Sequence, residues 1–403
     1  MRSRWDALSR TAAILTAALV SMAAAPQVAG AATDEAADGA PVRVVAATDD
    51  DLTARAAAIV AAMSVEQKAA AIVMVHTPGT DPGALGGFLR ETEAGGFIIM
   101  GANVPAGADA AAVRAVTSAM TADPALPPLI AVDQEGGDVR RLRTDDFAAS
   151  LTLKDEAADA VAAAFRSRGA LVRDAGIDVN FGIVADVTGD SGSFIYRRAL
   201  GTGADEAAPR VAAAVTGEAP FVASTIKHFP GHGAAPGDSH RVIPSTAMSL
   251  EQWRVSEAPP FVAGIEAGAD LVMFGHLAYT AVDAAPASLS APWHDILRDE
   301  LGFEGVAITD DMAMLEASGD PAYADPVANA VAAVAAGNDM VLGVSYTTVA
   351  RARAVIDGIA QAASAGTLSP DRLHEAATRV IELRLARATG AGAARCDSCA
   401  PVG

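Results

Sequence analysis

Short, nearly continuous apolar runs alternate along this chain with Ala-rich stretches of helical period. The apolar runs are "AIVMV" (71–75), "GFIIM" (96–100), "LIAVD" (129–133), "IDVNF" (177–181), "STIKH" (224–228), "LVMFG" (271–275), "GVAIT" (305–309) and "DMVLG" (339–343). Each is five residues of mostly β-favouring type, the pattern of a strand buried on both faces. Between them lie "ADAAAVRAVTSAM", "DEAADAVAAAFRSRGALVRDAG" and "DPVANAVAAVAAG", which carry apolar residues at helical spacing. Several of these end in Gly just before the next strand, as helix C-termini commonly do. Two further helical segments, "TVARARAVIDGIAQAASAG" and "PDRLHEAATRVIELRLARA", close the series.

Strands without polar alternation, each followed by a helix, predict a parallel sheet covered on both faces. Eight such repeats predict an α/β fold of one kind, a single (β/α)8 TIM-type barrel over residues 52–390. The alternative is a doubly wound open sheet. No G-x-G-x-x-G follows the first strand and no G-x-x-x-x-G-K-[ST] occurs, so nucleotide cofactors have no signature and no cofactor is expected.

Composition changes the picture at the two ends. The chain has 403 residues, 51% of them hydrophobic, with a formal charge of −20. That charge disfavours nucleic acid and anionic lipid as partners. "MRSRWDALSR" is a basic start, "TAAILTAALVSMAAA" an apolar run shorter than the roughly 20 residues a spanning helix needs, and "AGA" at 29–31 offers small residues for cleavage. Residues 1–31 therefore read as a signal peptide, 32–51 as an Asp/Ala-rich linker and 391–403 as a tail. A secreted or cell-envelope monomer with no membrane span after signal cleavage is expected. Cys396 and Cys399 form an isolated "CDSC" in that tail, with no second ligand pair to make a zinc site.

Chemistry collects where barrel enzymes keep it, at strand C-termini and the loops beyond. Strand three runs into "DQEGGDVRR", bringing Asp133 and Arg141; "FIYRRALG" after strand four brings Arg197 and Arg198. Strand five runs into "KHFPGHGAAPGDSH" (227–240), which holds three of the seven histidines. Strand seven ends in Asp310 and Asp311. Taken singly, each has a plainer reading: Asp133 before Gly-Gly as a turn, the Arg pair as a solvated face, His232 as a loop-bonding residue, "ITDD" as a helix N-cap. A metal site from His228, His232, Asp238 and His240 lacks any recognised ligand spacing, and no metal is expected.

"KHFPGHG" followed by "DSH", with "DQEGG" upstream and "GFEGVAITDDM" downstream, resembles bacterial β-N-acetylglucosaminidases of glycoside hydrolase family 3. The likeness runs from about residue 55 to 385 and includes "VMFGH" (272–276), "PASLS" (286–290) and "AGNDMVL" (336–342). The resemblance implies Asp310 as nucleophile, His240 as general acid/base and Asp238 as its orienting carboxylate. It implies Asp133, Arg141, Arg198, Lys227 and His228 as residues that hold the sugar. Asp138 stands where Arg is usual, "RAL" replaces R-S-F, and "AAPG" replaces an Asp-Thr pair, which leaves the aglycone contacts unassigned.

A free imidazole titrates near pH 6.5, close to working pH, so a histidine with a carboxylate beside it suits proton donation. An Asp and a His two apart would share one side of an extended segment. Gly231, Gly233 and Gly237 would free the loop to swing. The implied activity is hydrolysis of terminal β-linked GlcNAc from a small oligosaccharide or muropeptide, drawn from peptidoglycan or chitin. A GlcNAc phosphorylase, a β-glucosidase of the same family and a non-catalytic carbohydrate-binding protein are the competing expectations.

Overall fold

The computed structural model describes residues 49–121 and 123–389. The export segment, nearly all of the linker and the Cys396/Cys399 tail expected from the sequence lie outside them. The first described helix, Asp49–Ala62, starts within the last residues assigned to the linker.

All eight apolar runs are strands: β1 Val73–Val75, β2 Gly96–Ile99, β3 Leu129–Val132, β4 Val179–Val184, β5 Ala223–Phe229, β6 Leu271–Phe274, β7 Val306–Thr309 and β8 Val341–Gly343. They form one parallel sheet in the order β8-β1-β2-β3-β4-β5-β6-β7. The ends meet through the parallel bridge Ile308↔Met340, with Thr309 N donating to Met340 O at 3.1 Å. The side chain of Thr309 adds a bond from Leu342 N at 3.0 Å, so the sheet closes as a barrel. Every residue of all eight strands is buried, as the unalternating sequence requires.

Helices return the chain between strands, among them Pro82–Thr92, Ala110–Thr117, Ala158–Asp174, Ala204–Glu218 and Pro326–Ala336. Their starts are set by local chemistry. Asp81, Asp109 and Asp325 accept from first-turn N–H groups, and Ser64 with Gln67 and Ser249 with Gln252 make capping boxes. Among the described residues no helix is long and apolar enough to cross a membrane.

Two features fix the loop beyond β5. An aromatic cluster packs under it: Phe229 meets Phe274 at 5.0 Å and Phe261 at 5.3 Å between ring centroids. Trp253 donates its indole N–H to Pro230 O at 2.7 Å. Farther along, a parallel pair of two-residue strands, Ser245–Thr246 with Ala278–Tyr279, ties this loop to the one beyond β6. Nothing in the apolar pattern signals that pair.

Beside Asn180 of β4 sits a buried carboxyl. Glu218, at the end of Ala204–Glu218, takes a bond from Asn180 Nδ2 at 2.6 Å on one oxygen and has no partner on the other. Burial pushes its pKa from 4.5 up to about 8. The unfolded chain gives up this proton at lower pH than the folded one. Folding stability therefore falls as pH rises from about 4.5 through about 8, and Glu257, raised the same way, adds to the slope. Gln in place of Glu218 keeps the acceptor for Asn180 and removes the titration. Thermal melts of Glu218→Gln are expected to lose less stability than wild type between about pH 5 and about pH 9. Parallel losses in the two proteins would contradict this.

Candidate active site

The polar rim is built outward from Asn180 on β4. Its amide clamps Gln134, with Oδ1 accepting from Gln134 N and Nδ2 donating to Gln134 O, both at 3.0 Å. The Gln134 side chain in turn folds back the loop after β3: Oε1 accepts from Arg141 N at 2.8 Å and Leu142 N at 2.9 Å, and Nε2 donates to Asp145 at 2.8 Å. Asp145 is itself held by the fully buried Arg168 at 2.8 Å. This clamp presents Asp133 and Glu135 on either side of Gln134 and returns Arg141 toward Asp133.

The cations meet the carboxylates there. Asp133 bonds Arg141 at 3.2 Å and Lys227 at 2.9 Å. Lys227 also reaches Glu135 at 2.7 Å, and Arg198 grips Glu135 through two nitrogens at 2.8 and 2.7 Å. Burial alone would push the Glu135 carboxyl up, but the Arg198 and Lys227 charges outweigh it and hold the group well below the usual range. The same pairing holds Lys227 up against the pull of its own burial. Arg197 does not join. It faces outward and pairs with Asp138 at 2.7 Å, both more than half exposed.

His228 is aimed by Asp186, which lies just past β4. One Asp186 oxygen takes His228 Nδ1 at 2.7 Å; the other accepts the backbone N–H of His228 and of His232 at 3.1 and 2.6 Å. Burial raises Asp186, yet the neighbouring histidines and these N–H bonds bring it below its ordinary value. His228 Nε2 faces Arg198 at 3.4 Å.

Asp310 follows β7, where its backbone N–H donates to Phe274 O at 2.9 Å. Burial raises its carboxyl, but His228, His276 and Lys227 and the N–H of Asp311 together carry it below the usual carboxylate range. It is thus ionised and partly open to solvent. His276 bridges Ser288 Oγ at 2.7 Å and Asp311 O at 3.0 Å, which braces the turn. Asp311 faces the backbone, accepting from Val344 N at 2.9 Å and Ala313 N at 3.1 Å. The N-cap reading of "ITDD" does not hold: the helix Ala313–Ala317 has Met312 at its N-cap with no side-chain cap bond, and Asp311 instead braces the turn before it.

Asp238 and His240 sit on the outermost loop, with side chains 41% and 64% exposed. Asp238 Oδ1 accepts both His240 N at 3.0 Å and His240 Nδ1 at 2.7 Å. Asp238 O also takes Arg241 N at 3.0 Å, so the segment is an Asx turn and not the extended strand the spacing suggested. With Nδ1–H given to the carboxylate, Nε2 is the ring nitrogen outside the pair. Phe194 links this dyad to the rest: its ring lies 6.3 Å from His240 and 4.9 Å from His232, with the Arg198 guanidinium 5.7 Å above it.

Two loop expectations are revised. His232 does not bond its own loop through the ring: both ring nitrogens are buried without a partner, and burial drives its pKa down to about 4, leaving it neutral. Gly231 and Gly233 do not confer swing. Gly231 has φ +126° against Glu257 and Tyr279, and a Cβ at Gly233 would overlap the carbonyl of Val187. Only Gly237, at φ +115°, lies in the outer part of the loop, where the nearest atom to an added Cβ is 3.4 Å away.

Of the eight residues singled out from the sequence, Lys227 and His228 lie within β5 near its C-terminal end, and the other six lie on the loops beyond β3, β4, β5 and β7. Glu135, Asp186 and His276 are brought in besides. Their signals were present in "DQEGG", "IVADV" and "VMFGH" but needed cross-strand pairing to be read. Among the described residues no group of three or more His, Cys, Asp or Glu is arranged to hold a metal ion.

Fold and site together define the class: a (β/α)8 barrel with its charged constellation at the C-terminal rim, where barrel enzymes carry their active sites. The chain belongs to glycosyl hydrolase family 3, matching that family's N-terminal domain over residues 64–383. It is 37% identical over 219 residues to a β-hexosaminidase of Xanthomonas oryzae, covering 50% of this chain and 64% of that one. Its fold is similar to a family 3 β-N-acetylglucosaminidase from Paenibacillus sp. strain FPU-7, with TM-score 0.75 and 31% identity over 81% of this chain and 63% of the other. A β-N-acetylhexosaminidase from Beutenbergia cavernae gives TM-score 0.71 and 28% identity over 80% of this chain and 98% of its own. The chain spans a little under two thirds of the first two of these proteins.

Proposed function

We propose that the protein is an exported, retaining exo-β-N-acetylglucosaminidase that removes terminal β-linked GlcNAc from peptidoglycan fragments or chitooligosaccharides. The observation that carries this reading is the ionised Asp310 carboxylate at the end of β7, sharing one rim with Asp133, Arg141, Arg198, Lys227 and His228. The names of the similar proteins support the sugar, and the signal-like residues 1–31 support export.

In this reading Asp133, Arg141 and Lys227 exchange part of their mutual pairing, and Arg198 part of its pairing with Glu135, for hydroxyl and acetamide groups of one GlcNAc, with charge-assisted bonds. His228, fixed by Asp186, borders the same ring. Asp310 attacks C1 as the C1–O bond breaks, and the proton on His240 Nε2 passes to the departing oxygen. His240, now neutral, takes a proton from water, whose oxygen attacks C1 and frees Asp310. Asp238 holds the ring by Nδ1–H throughout and offsets its positive charge when protonated.

Turnover of p-nitrophenyl β-GlcNAc against the β-glucoside, with and without phosphate, is the test. A site that pairs buried charges with an acetamide discriminates against a sugar lacking it, and the kcat/KM ratio is expected to be about 10² or more. Equal rates would favour a β-glucosidase. Release of GlcNAc 1-phosphate whenever phosphate is present would favour a phosphorylase.

A further inference from the structure

A cavity of about 440 Å³ opens between the segment after β4 and the outer loop after β5. Thr188, Asp190 and Phe194 line one side; Ala235, Pro236 and Asp238 line the other. Asp238 is also the carboxylate bonded to His240, so the cavity lies beside the proton donor. What stands beyond the oxygen that receives that proton is the aglycone. The volume falls in the range of small-molecule sites, roughly 300–1,000 Å³. Phe194, wedged between His232, His240 and Arg198 and only partly buried, offers an aromatic edge and face to the C–H side of a sugar ring.

Charge decides which sugar. The ionisable groups of this wall, Asp190 and Asp238, are both carboxylates, and neither Lys nor Arg lines it. Asp190 is exposed, with one oxygen accepting Gly192 N at 2.9 Å. No cation lines it: Arg198, 5.7 Å from the Phe194 ring, is gripped by Glu135, Arg197 is engaged by Asp138, and Arg241 is exposed and off the wall. The chain's −20 charge adds repulsion at longer range.

We infer that this cavity is the aglycone subsite and that it takes a neutral, hydroxyl-rich sugar in preference to one bearing a carboxylate. Phe194 is its platform and Asp190 its charge filter. The inference rests on the hydrolase reading above and narrows it toward chitooligosaccharides.

The test uses three β-1,4-linked GlcNAc disaccharides that differ only at O3 of the second sugar: a free hydroxyl, a lactyl ether, and the methyl ester of that ether. The ester matches the acid in bulk and lacks its charge. At low salt the free acid is expected to have a kcat/KM about tenfold or more below that of its ester, and the gap is expected to narrow as ionic strength rises. Asp190→Lys is expected to shrink the acid–ester gap, and Asp190→Asn, which keeps the oxygen that accepts Gly192 N, to shrink it less. An acid cleaved as fast as its ester would overturn the inference, as would a gap unmoved by both variants. If p-nitrophenyl β-GlcNAc is not hydrolysed at all, the hydrolase reading falls with it. If it is hydrolysed and no acid–ester gap exists, only the inference falls.

Discussion

In an Asp310→Asn variant, turnover of β-GlcNAc substrates is expected to drop by about 10⁴-fold or more, on good and poor leaving groups alike. The amide keeps the shape of the side chain and its bond from Asp311 N, but it cannot form the ester to C1. The loss is independent of the leaving group because bond formation, not proton transfer, has been removed. Binding is expected to survive, since the proposed contacts to the sugar belong to Asp133, Arg141, Arg198 and Lys227. A competitive inhibitor titrated into the variant checks this. Asp311→Asn is expected to act quite differently, because Asp311 spends its oxygen on Val344 N and Ala313 N and its cost falls on the turn. Near-normal turnover in Asp310→Asn would remove the nucleophile from this position.

His240→Ala is expected to sort substrates by leaving group. A natural disaccharide needs a proton on the departing oxygen, and general acid catalysis is typically worth about 10² to 10⁴ in rate. Losses in or above that range are expected there, whereas a dinitrophenyl glycoside, which departs nearly unaided, loses much less in the glycosylation step. Asp238→Asn is expected to give a milder version of the same profile. It keeps the oxygen that holds Nδ1–H and His240 N, and loses the charge that offsets the protonated ring. His232→Ala, by contrast, removes a neutral buried ring that supports Phe194, and its effect is expected to be modest and similar for all leaving groups. A leaving-group dependence in His232→Ala and not in His240→Ala would exchange the two roles.

Much of this was legible in the sequence for a simple reason. Strands buried on both faces must be apolar without alternation, so runs such as "LIAVD" and "GVAIT" announce both themselves and a parallel sheet. A barrel then obliges the residues at their C-terminal ends to share one rim, and Asp133, Lys227, His228 and Asp310 do. What escaped was geometry that depends on pairing across strands. Glu135 reads as part of a Gly-Gly turn until Arg198 and Lys227 close on it, and Asp186 reads as a loop acid until two backbone N–H groups and the His228 ring converge there.

The loop after β5 shows the same limit. Its glycines suggested mobility, yet Gly231 and Gly233 are required by close approach, and "DSH" holds its histidine through a turn. Pairs as short as Ser245–Thr246 with Ala278–Tyr279 have no period to detect. Phe194, within "GSFIYRR", gives no sign in sequence that it will touch both His232 and His240.

The central claim is that Asp310 becomes covalently glycosylated. Incubation with a slow 5-fluoro β-GlcNAc fluoride, followed by proteolysis and peptide mass spectrometry, tests it most directly. The label is expected on Asp310, in the peptide containing "AITDDM", and absent from the Asp310→Asn variant. A label on Asp311 or Glu135, or active enzyme that turns the reagent over without ever carrying a label, would contradict the account.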